Sequence, residues 1–132
     1  MKFIDVYREP MAPAFLYSLL KERTPEQSIS HKRMPSIDEH ISFIISEPYP
    51  QWYLVEVDDE LIGSVYLTDN REIGVFILER LKGIGLGKMI VEKMCEDNPG
   101  RILANINPDN MVSRKMFEGM GAKLIQVTYE LG

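Results

Sequence analysis

The chain has 132 residues, 45% hydrophobic and 27% charged, which is enough for one domain with a real hydrophobic core. Its formal charge of −5 excludes the basic footprint of a nucleic-acid binder; it mildly favours a cationic substrate and is also an ordinary surface for a soluble domain. The lone Cys95 excludes an internal disulfide framework, no apolar run approaches a membrane span, and Met1-Lys2-Phe3-Ile4-Asp5 does not open a signal peptide, so the expected compartment is the cytoplasm.

Residues 2–7 read as a first strand, after which Pro10 and Pro13 punctuate the approach to a helix carrying Phe15, Leu16, Leu19 and Leu20. The polar, broken stretch 24–35, with His31, Lys32 and Arg33 close together, reads as a loop. Ser36-Ile37-Asp38-Glu39 is a capping box that starts a second helix, whose apolar face is Ile37, Ile41, Ile44 and Ile45 and which Pro48 and Pro50 stop. β-rich runs at 52–57 and 61–68 flank Asp58-Asp59-Glu60 as a hairpin, and 72–78 adds a third strand to the meander. A helix over 86–96 presents Leu86, Met89, Ile90 and Met94 to the core, and Cys95 beside them is expected to pack as a small hydrophobe.

A short buried strand spans 101–106, and Asn105 within it needs a hydrogen-bond partner. Asn107-Pro108-Asp109-Asn110 caps a last helix that runs to about Met120 and ends on Gly121 in a left-handed conformation. Residues 123–131 close the chain as a strand. The order β-α-α-β-β-β-α-β-α-β implies an α/β (α+β) fold with a mixed, mostly antiparallel sheet flanked by helices, one domain over 1–132.

The chemistry concentrates at Lys82-Gly83-Ile84-Gly85-Leu86-Gly87-Lys88, between the apolar strand and the amphipathic helix. Glycines let the backbone approach a ligand, and the free N–H groups of a first helical turn face negative charge, so a phosphate-bearing cofactor is the natural guest. The spacing is not Gly-x-x-x-x-Gly-Lys-Ser/Thr and the order is not a run of βα units, which argues against a nucleotide-binding domain. No spacing of ligand types suggests a metal site.

This order and these motifs resemble the GCN5-related N-acetyltransferase (GNAT) superfamily over nearly the whole chain. Its Gln/Arg-x-x-Gly-x-Gly/Ala signature fits two registers, Arg80 to Gly85 literally and Lys82 to Gly87 with Lys in first place; the second keeps the family's spacing from strand to helix, and both use Gly83 and Gly85. A second motif, Asn-x-x-Ala/Ser-x-x-x-Tyr followed by Gly-Phe, is matched by Asn110 and Ser113 and departs at Phe117 and Ala122. Ile29 to Ser36, Glu39-His40 and Ala104 to Pro108 are similar to the branch that includes amino-sugar acetyltransferases.

The resemblance implies an acetyl-CoA-dependent N-acetyltransferase, with acetyl passing directly from the thioester to a primary amine of a small molecule such as an amino sugar. It places acetyl-CoA on Lys82, Gly83, Ile84, Gly85, Leu86, Gly87 and Lys88, its pantetheine arm along Val75, Phe76 and Ile77 where the fourth and fifth strands splay, and Asn110, Ser113 and Phe117 nearby. A backbone N–H of the fourth strand, Ile77 among the candidates, stabilises the charge that builds on the thioester oxygen. The attacking amine must be neutral; Glu72 is a candidate base, while Asn105 stands where one branch carries Glu. The family's Tyr acid aligns with Phe117, which has no proton to give, leaving water or Tyr129. His31, Arg33, Trp52 and Tyr66 are candidates on the acceptor side.

Two other readings stay open: a protein N-terminal or ribosomal-type acetyltransferase, and a catalytically weak acyl-CoA-binding sensor, which Phe117 and Asn105 favour. Ending in one strand where relatives often have two suggests a sheet edge covered by a second subunit, hence a homodimer.

Overall fold

A computed structural model describes residues 1–23 and 34–132. The sheet runs β1 (Lys2–Asp5), β2 (Gln51–Val57), β3 (Glu60–Leu67), β4 (Glu72–Ile77) and β5 (Leu103–Ala104) in spatial as in sequence order. Neighbours are antiparallel except β4 and β5, which run parallel. Helices α1 (Ala12–Glu22) and α2 (Ile37–Ile45) precede the meander, α3 (Leu86–Asp97) links β4 to β5, and α4 (Met111–Gly119) follows.

Strand alternation divides the core in two. Val55, Val65, Leu67 and Ile73 pack on one sheet face with Ile90, Val91 and Met94 of α3, and with Met116, Phe117 and Met120 at the α4 end. Trp52 and Leu54 face the other side with Leu16 and Leu19 of α1 and Ile44 of α2. Asp58 and Asp59 both take positive φ (51° and 63°), closing the β2–β3 hairpin in two residues as the short acidic turn required.

Local end signals hold. Ser36 Oγ accepts from the Glu39 amide at 3.1 Å while Glu39 Oε1 accepts from the Ser36 amide at 2.9 Å, completing the capping box. Asn110 Oδ1 accepts from the Ser113 amide at 3.2 Å and starts α4. That helix stops on Gly121 at φ 91°, where the amides of Gly121 and Ala122 reach back to the carbonyls of Glu118 and Phe117 at 3.0 Å each.

Five expectations need correction. The buried strand read over 101–106 pairs only at Leu103–Ala104 and is half-buried there, because the chain leaves β4 at Asn105. The first strand ends at Asp5, because the Asp5 carboxylate accepts from the Tyr7 amide at 2.9 Å and turns Val6–Arg8 into a 3₁₀ turn. In α2 the core stripe is His40 and Ile44, with Ile37, Ile41 and Ile45 exposed on the adjacent stripe; His40 is turned inward to meet the Pro13 carbonyl of α1. In α3, Val91 is buried while Met89 and Cys95 face outward. Finally, 123–131 is no strand of this sheet: β5 offers only two paired residues, so the tail finds no edge to complete, and Tyr129 and Leu131 stand 87% and 96% exposed.

The sequence reading also missed Arg71, which sits at φ 61° before β4. Its guanidinium donates from Nε to Arg101 O, and from Nη2 to Asn98 O at 2.8 Å and Pro99 O at 3.1 Å. Its own carbonyl accepts from the Leu103 amide at 2.8 Å. One residue thus ties the α3–β5 connection to the start of β4. Arg71→Met should lower unfolding stability by about 1–3 kcal/mol, since several charge-assisted bonds to main-chain carbonyls go at once; a shift in the chemical-denaturation midpoint reads it.

Candidate active site

Beyond Ile73↔Ala104 the chain after β5 leaves β4, as the expected splay requires. Leu78 donates its amide to Ile62 O at 2.9 Å on the β3 side, whereas the Arg71 carbonyl serves β5. By strand alternation, the amides of even-numbered β4 residues face β3 and those of odd-numbered ones face the splay. Val75 and Ile77 therefore present N–H groups to the opening. Phe76 contributes its ring instead, on the opposite side of the sheet from α3.

Past β4, a 3₁₀ turn at Glu79–Leu81 leads into the glycine loop. The Glu22 carboxylate at the end of α1 accepts from the Glu79 amide at 2.7 Å and fixes that turn. Gly83 and Gly85 take φ of 85° and 88°, and a Cβ built on either would meet nothing within 4 Å. Gly85 is the N-cap of α3 and supplies no side-chain cap, so the first-turn amides stay uncovered. An exposed loop of left-handed glycines opening onto uncapped amides fits a phosphate-bearing ligand. Ile84 and Lys88 are exposed beside it. Leu86 turns into the core, and Gly87 lets α3 approach α4, its Cβ position lying 3.3 Å from Met116 Sδ. Lys82 Nζ pairs with Glu79 Oε2 at 2.8 Å, and Arg80 pairs with Glu60.

Glu72 and Asn105 come together: the Asn105 side-chain amide donates to Glu72 Oε2, which is the partner Asn105 needed. Glu72 lies on the same sheet face as Gly74 and Phe76 and acts electrostatically on Tyr66, raising its pKa as a minor contributor behind burial. Phe117 is half-buried against the α3 side of the sheet, and Tyr129 lies in the exposed tail, away from the core. His31 and Arg33 lie outside the described residues.

Trp52 and Tyr66 do reach a cavity, of about 410 Å³, on the α1–α2 face. Its walls are aromatic. Tyr49 and Tyr66 stack in parallel at 3.9 Å, and Trp52 meets Tyr49 edge-on at 5.0 Å. Gly74, opposite Tyr66 in register, has no Cβ because the Tyr66 ring occupies that space. Tyr7 braces the box from behind: its hydroxyl donates to Tyr49 O at 2.7 Å and accepts from the Tyr49 amide at 3.1 Å. Burial pushes the Tyr49 and Tyr66 hydroxyls up, keeping both protonated. Arg23, one residue past α1, lies over the Phe76 ring at 4.0 Å and lines the same cavity. Burial pulls its guanidinium pKa down, opposed by Tyr66 and Tyr49. Glu39 of α2 also reaches the lining, with Oε1 engaged by the Ser36 amide. The cavity therefore shares Phe76 with the strand whose other edge opens into the splay.

A family model described as "Acetyltransferase (GNAT) family" matches residues 14–122. The chain belongs to the GNAT acetyltransferase family. It is 30% identical over 96 residues to the peptidyl-lysine N-acetyltransferase YjaB of Salmonella typhimurium, a match covering 73% of this chain and 65% of that protein, so the chain spans slightly under two thirds of its relative. Among solved structures, an acetyltransferase from Thermus thermophilus superposes with a TM-score of 0.73 at 14% identity, over 95% of this chain and 88% of that one. The protein yncA of Salmonella typhimurium, solved with acetyl-CoA, superposes at 0.65 and 16% identity over 99% and 85%. These two likenesses show the GNAT fold in the five-stranded, mostly antiparallel sheet. Among the described residues there is no metal-binding cluster and no helix long and apolar enough to cross a membrane.

His40, buried among these elements, holds its Nε2 3.2 Å from Pro13 O, so the neutral ring donates there, and burial lowers its pKa below the ordinary 6.5. The unfolded chain then binds the proton more readily than the folded one. Stability is full above about pH 6.5 and falls as pH drops through that value toward the folded pKa. Denaturation midpoints between pH 8 and pH 5 should show this slope, and His40→Gln should flatten it.

Proposed function

We propose that the chain is an acetyl-CoA-dependent N-acetyltransferase acting on a small primary amine. One observation carries this reading: the aromatic cavity and the free amides of Val75 and Ile77 meet on the two sides of Phe76, so an acceptor and an acyl donor converge on one strand. Acetyl-CoA, when bound, supplies an activated acetyl thioester. The loop amides from Gly83 to Lys88 hold its phosphates, and Asn110 stands at the nearby N-terminus of α4. The amides of Val75 and Ile77 are the candidate donors to developing oxyanion charge. Glu72, oriented by Asn105, is the candidate base for the amine proton.

A cavity of about 410 Å³ with an aromatic lining suits a small molecule better than a folded protein acceptor. A lysine side chain or a flexible N-terminus is the rival acceptor, and the similarity to a peptidyl-lysine acetyltransferase supports it. A weakly catalytic acyl-CoA binder is favoured by the absence of a hydroxyl at Phe117.

Calorimetric titration with acetyl-CoA tests the cofactor reading. Wild type should bind, and Gly85→Glu, which puts a carboxylate into the loop, should lose about tenfold or more in affinity while staying folded by circular dichroism. Gly85→Ala shares the backbone strain of a positive φ without the charge and should lose less. CoA release with excess amine then separates an enzyme from a binder.

The same reading extends to a homodimer, a second copy covering the side of the sheet that the chain's own tail leaves uncovered. Ile125, Val127, Tyr129 and Leu131 recur at strand spacing in the unpaired tail and are suited to pair with their counterparts in the second copy. Light scattering should show two chains per particle, and removal of 124–132 should return a monomer; a wild-type monomer at working concentration would refute it.

A further inference from the structure

Arg23 is the one strongly basic group among the described residues that line the aromatic cavity. Its Nε is buried without a hydrogen-bond partner, and no carboxylate among the described residues pairs with its guanidinium. Its described side-chain interactions are the cation–π contact with Phe76 and the electrostatic influence of Tyr66 and Tyr49. A buried, unpaired Nε on a half-buried guanidinium is unusual: such N–H donors usually find partners when taken out of water, because the desolvation cost is otherwise unreturned. Here the guanidinium carbon lies 4.0 Å over an aromatic ring, beside the tyrosine pair and on the strand that opens on the splay. A guanidinium over an aromatic ring with a free Nε–H is suited to receive a carboxylate.

We propose that Arg23 is the anion anchor of the acceptor cavity, and that the acceptor is a primary amine carrying a carboxylate on an aromatic or otherwise planar apolar body. The identification rests on the acetyltransferase reading for what happens to the amine, but not for what the cavity binds. The aromatic walls of Trp52, Tyr49, Tyr66 and Phe76 take the apolar body. One guanidinium carries a single positive charge, which matches a carboxylate and under-compensates a phosphate dianion. The overall charge of −5 pointed the other way, toward cationic acceptors, but it is a sum over the surface, whereas recognition is decided by the groups lining the cavity.

The test uses matched aromatic amines with and without the carboxylate: phenylalanine against phenylalaninamide, and 4-(aminomethyl)benzoate against 4-(aminomethyl)benzamide. Each is titrated calorimetrically into the full chain, without acetyl-CoA, so that binding is read whether or not acetyl transfer occurs. In at least one pair, wild type should favour the acid by about tenfold or more, because the amide leaves the charge unmatched and the buried Nε donor unpaired. Arg23→Gln should bring acid and amide to near parity, and Arg23→Lys should keep part of the preference, since it retains charge without the fork. Acetyl-CoA affinity should be unchanged in both variants. Four outcomes overturn the proposal: equal binding of acid and amide in every pair, no binding of any probe at millimolar concentration, an acid preference that survives Arg23→Gln, or loss of acetyl-CoA affinity in that variant. Failure of wild type to bind acetyl-CoA instead removes the acetyltransferase reading and leaves the acid–amide difference to stand alone.

Discussion

The parting of β5 from β4 after two residue pairs is the constraint on which the rest of this molecule depends. A parallel neighbour along the full length of β4 would consume the amides of Val75 and Ile77. The chain is kept from doing so by what surrounds the short pairing. Arg71, in a left-handed conformation, draws the carbonyls of residues 98, 99 and 101 onto one guanidinium and accepts the Leu103 amide on its own carbonyl. Just past Ala104, Asn105 reaches sideways to Glu72, and Asn107-Pro108 turns the backbone toward α4. The start of β5 is thus pinned while its end is led away, so β4 keeps one edge open in its second half. The glycine loop at the end of β4 and the aromatic cavity at Phe76 gain a common meeting place from that single divergence.

How much of this was legible in the sequence follows from how local each signal is. The capping box at Ser36, the cap at Asn110, the Gly121 stop and the glycine loop before α3 are written within a few residues of where they act, and each forms as read. The α2 face was misread because isoleucines at 37, 41 and 45 and the pair 40 and 44 make adjacent stripes about 100° apart. Periodicity sees both, and only the Pro13 carbonyl of another helix selects the second. Alternation over 123–131 states that the segment can be a strand, but pairing needs an edge, and two residues of β5 do not supply one. Arg71 and Arg23 carried no signal at all, since one acts through carbonyls 27 to 30 residues away and the other through a cavity assembled from α1, α2 and three strands.

The two sheet faces divide the labour. The α3 side is mainly aliphatic and holds the helix whose N-terminus opens the anion loop, so the uncapped amides are carried by Ile90, Val91 and Met94. The α1–α2 side is aromatic and hydrogen-bonded, with Tyr7 tying Tyr49 at both its amide and carbonyl. Aromatic rings give a cavity stiff walls at small conformational cost, and their raised hydroxyl pKa values keep them neutral at ordinary pH. Against these neutral rings the local potential is set by Arg23, stacked on Phe76, and by Glu39 on the α2 side, whatever the net charge of the chain.

Phe117 and Asn110 show how one helix serves both folding and a site. The Asn110 side-chain oxygen is committed to the Ser113 amide, so a capping role and a ligand role do not compete for it: the side-chain NH₂ has no partner among the described residues and remains available to an acceptor atom. Phe117 packs with Met116 and Met120 against the sheet and steadies the helix that carries Asn110. Under the proposed chemistry the missing hydroxyl is a modest loss. A thiol titrates near ~8.5, so a departing thiolate at neutral pH is already a stable enough group that general-acid assistance returns only a fraction of what it does for an alkoxide. The larger demand falls on the electrophilic end, where the amides of Val75 and Ile77 are fixed by the sheet itself and need no side chain to place them.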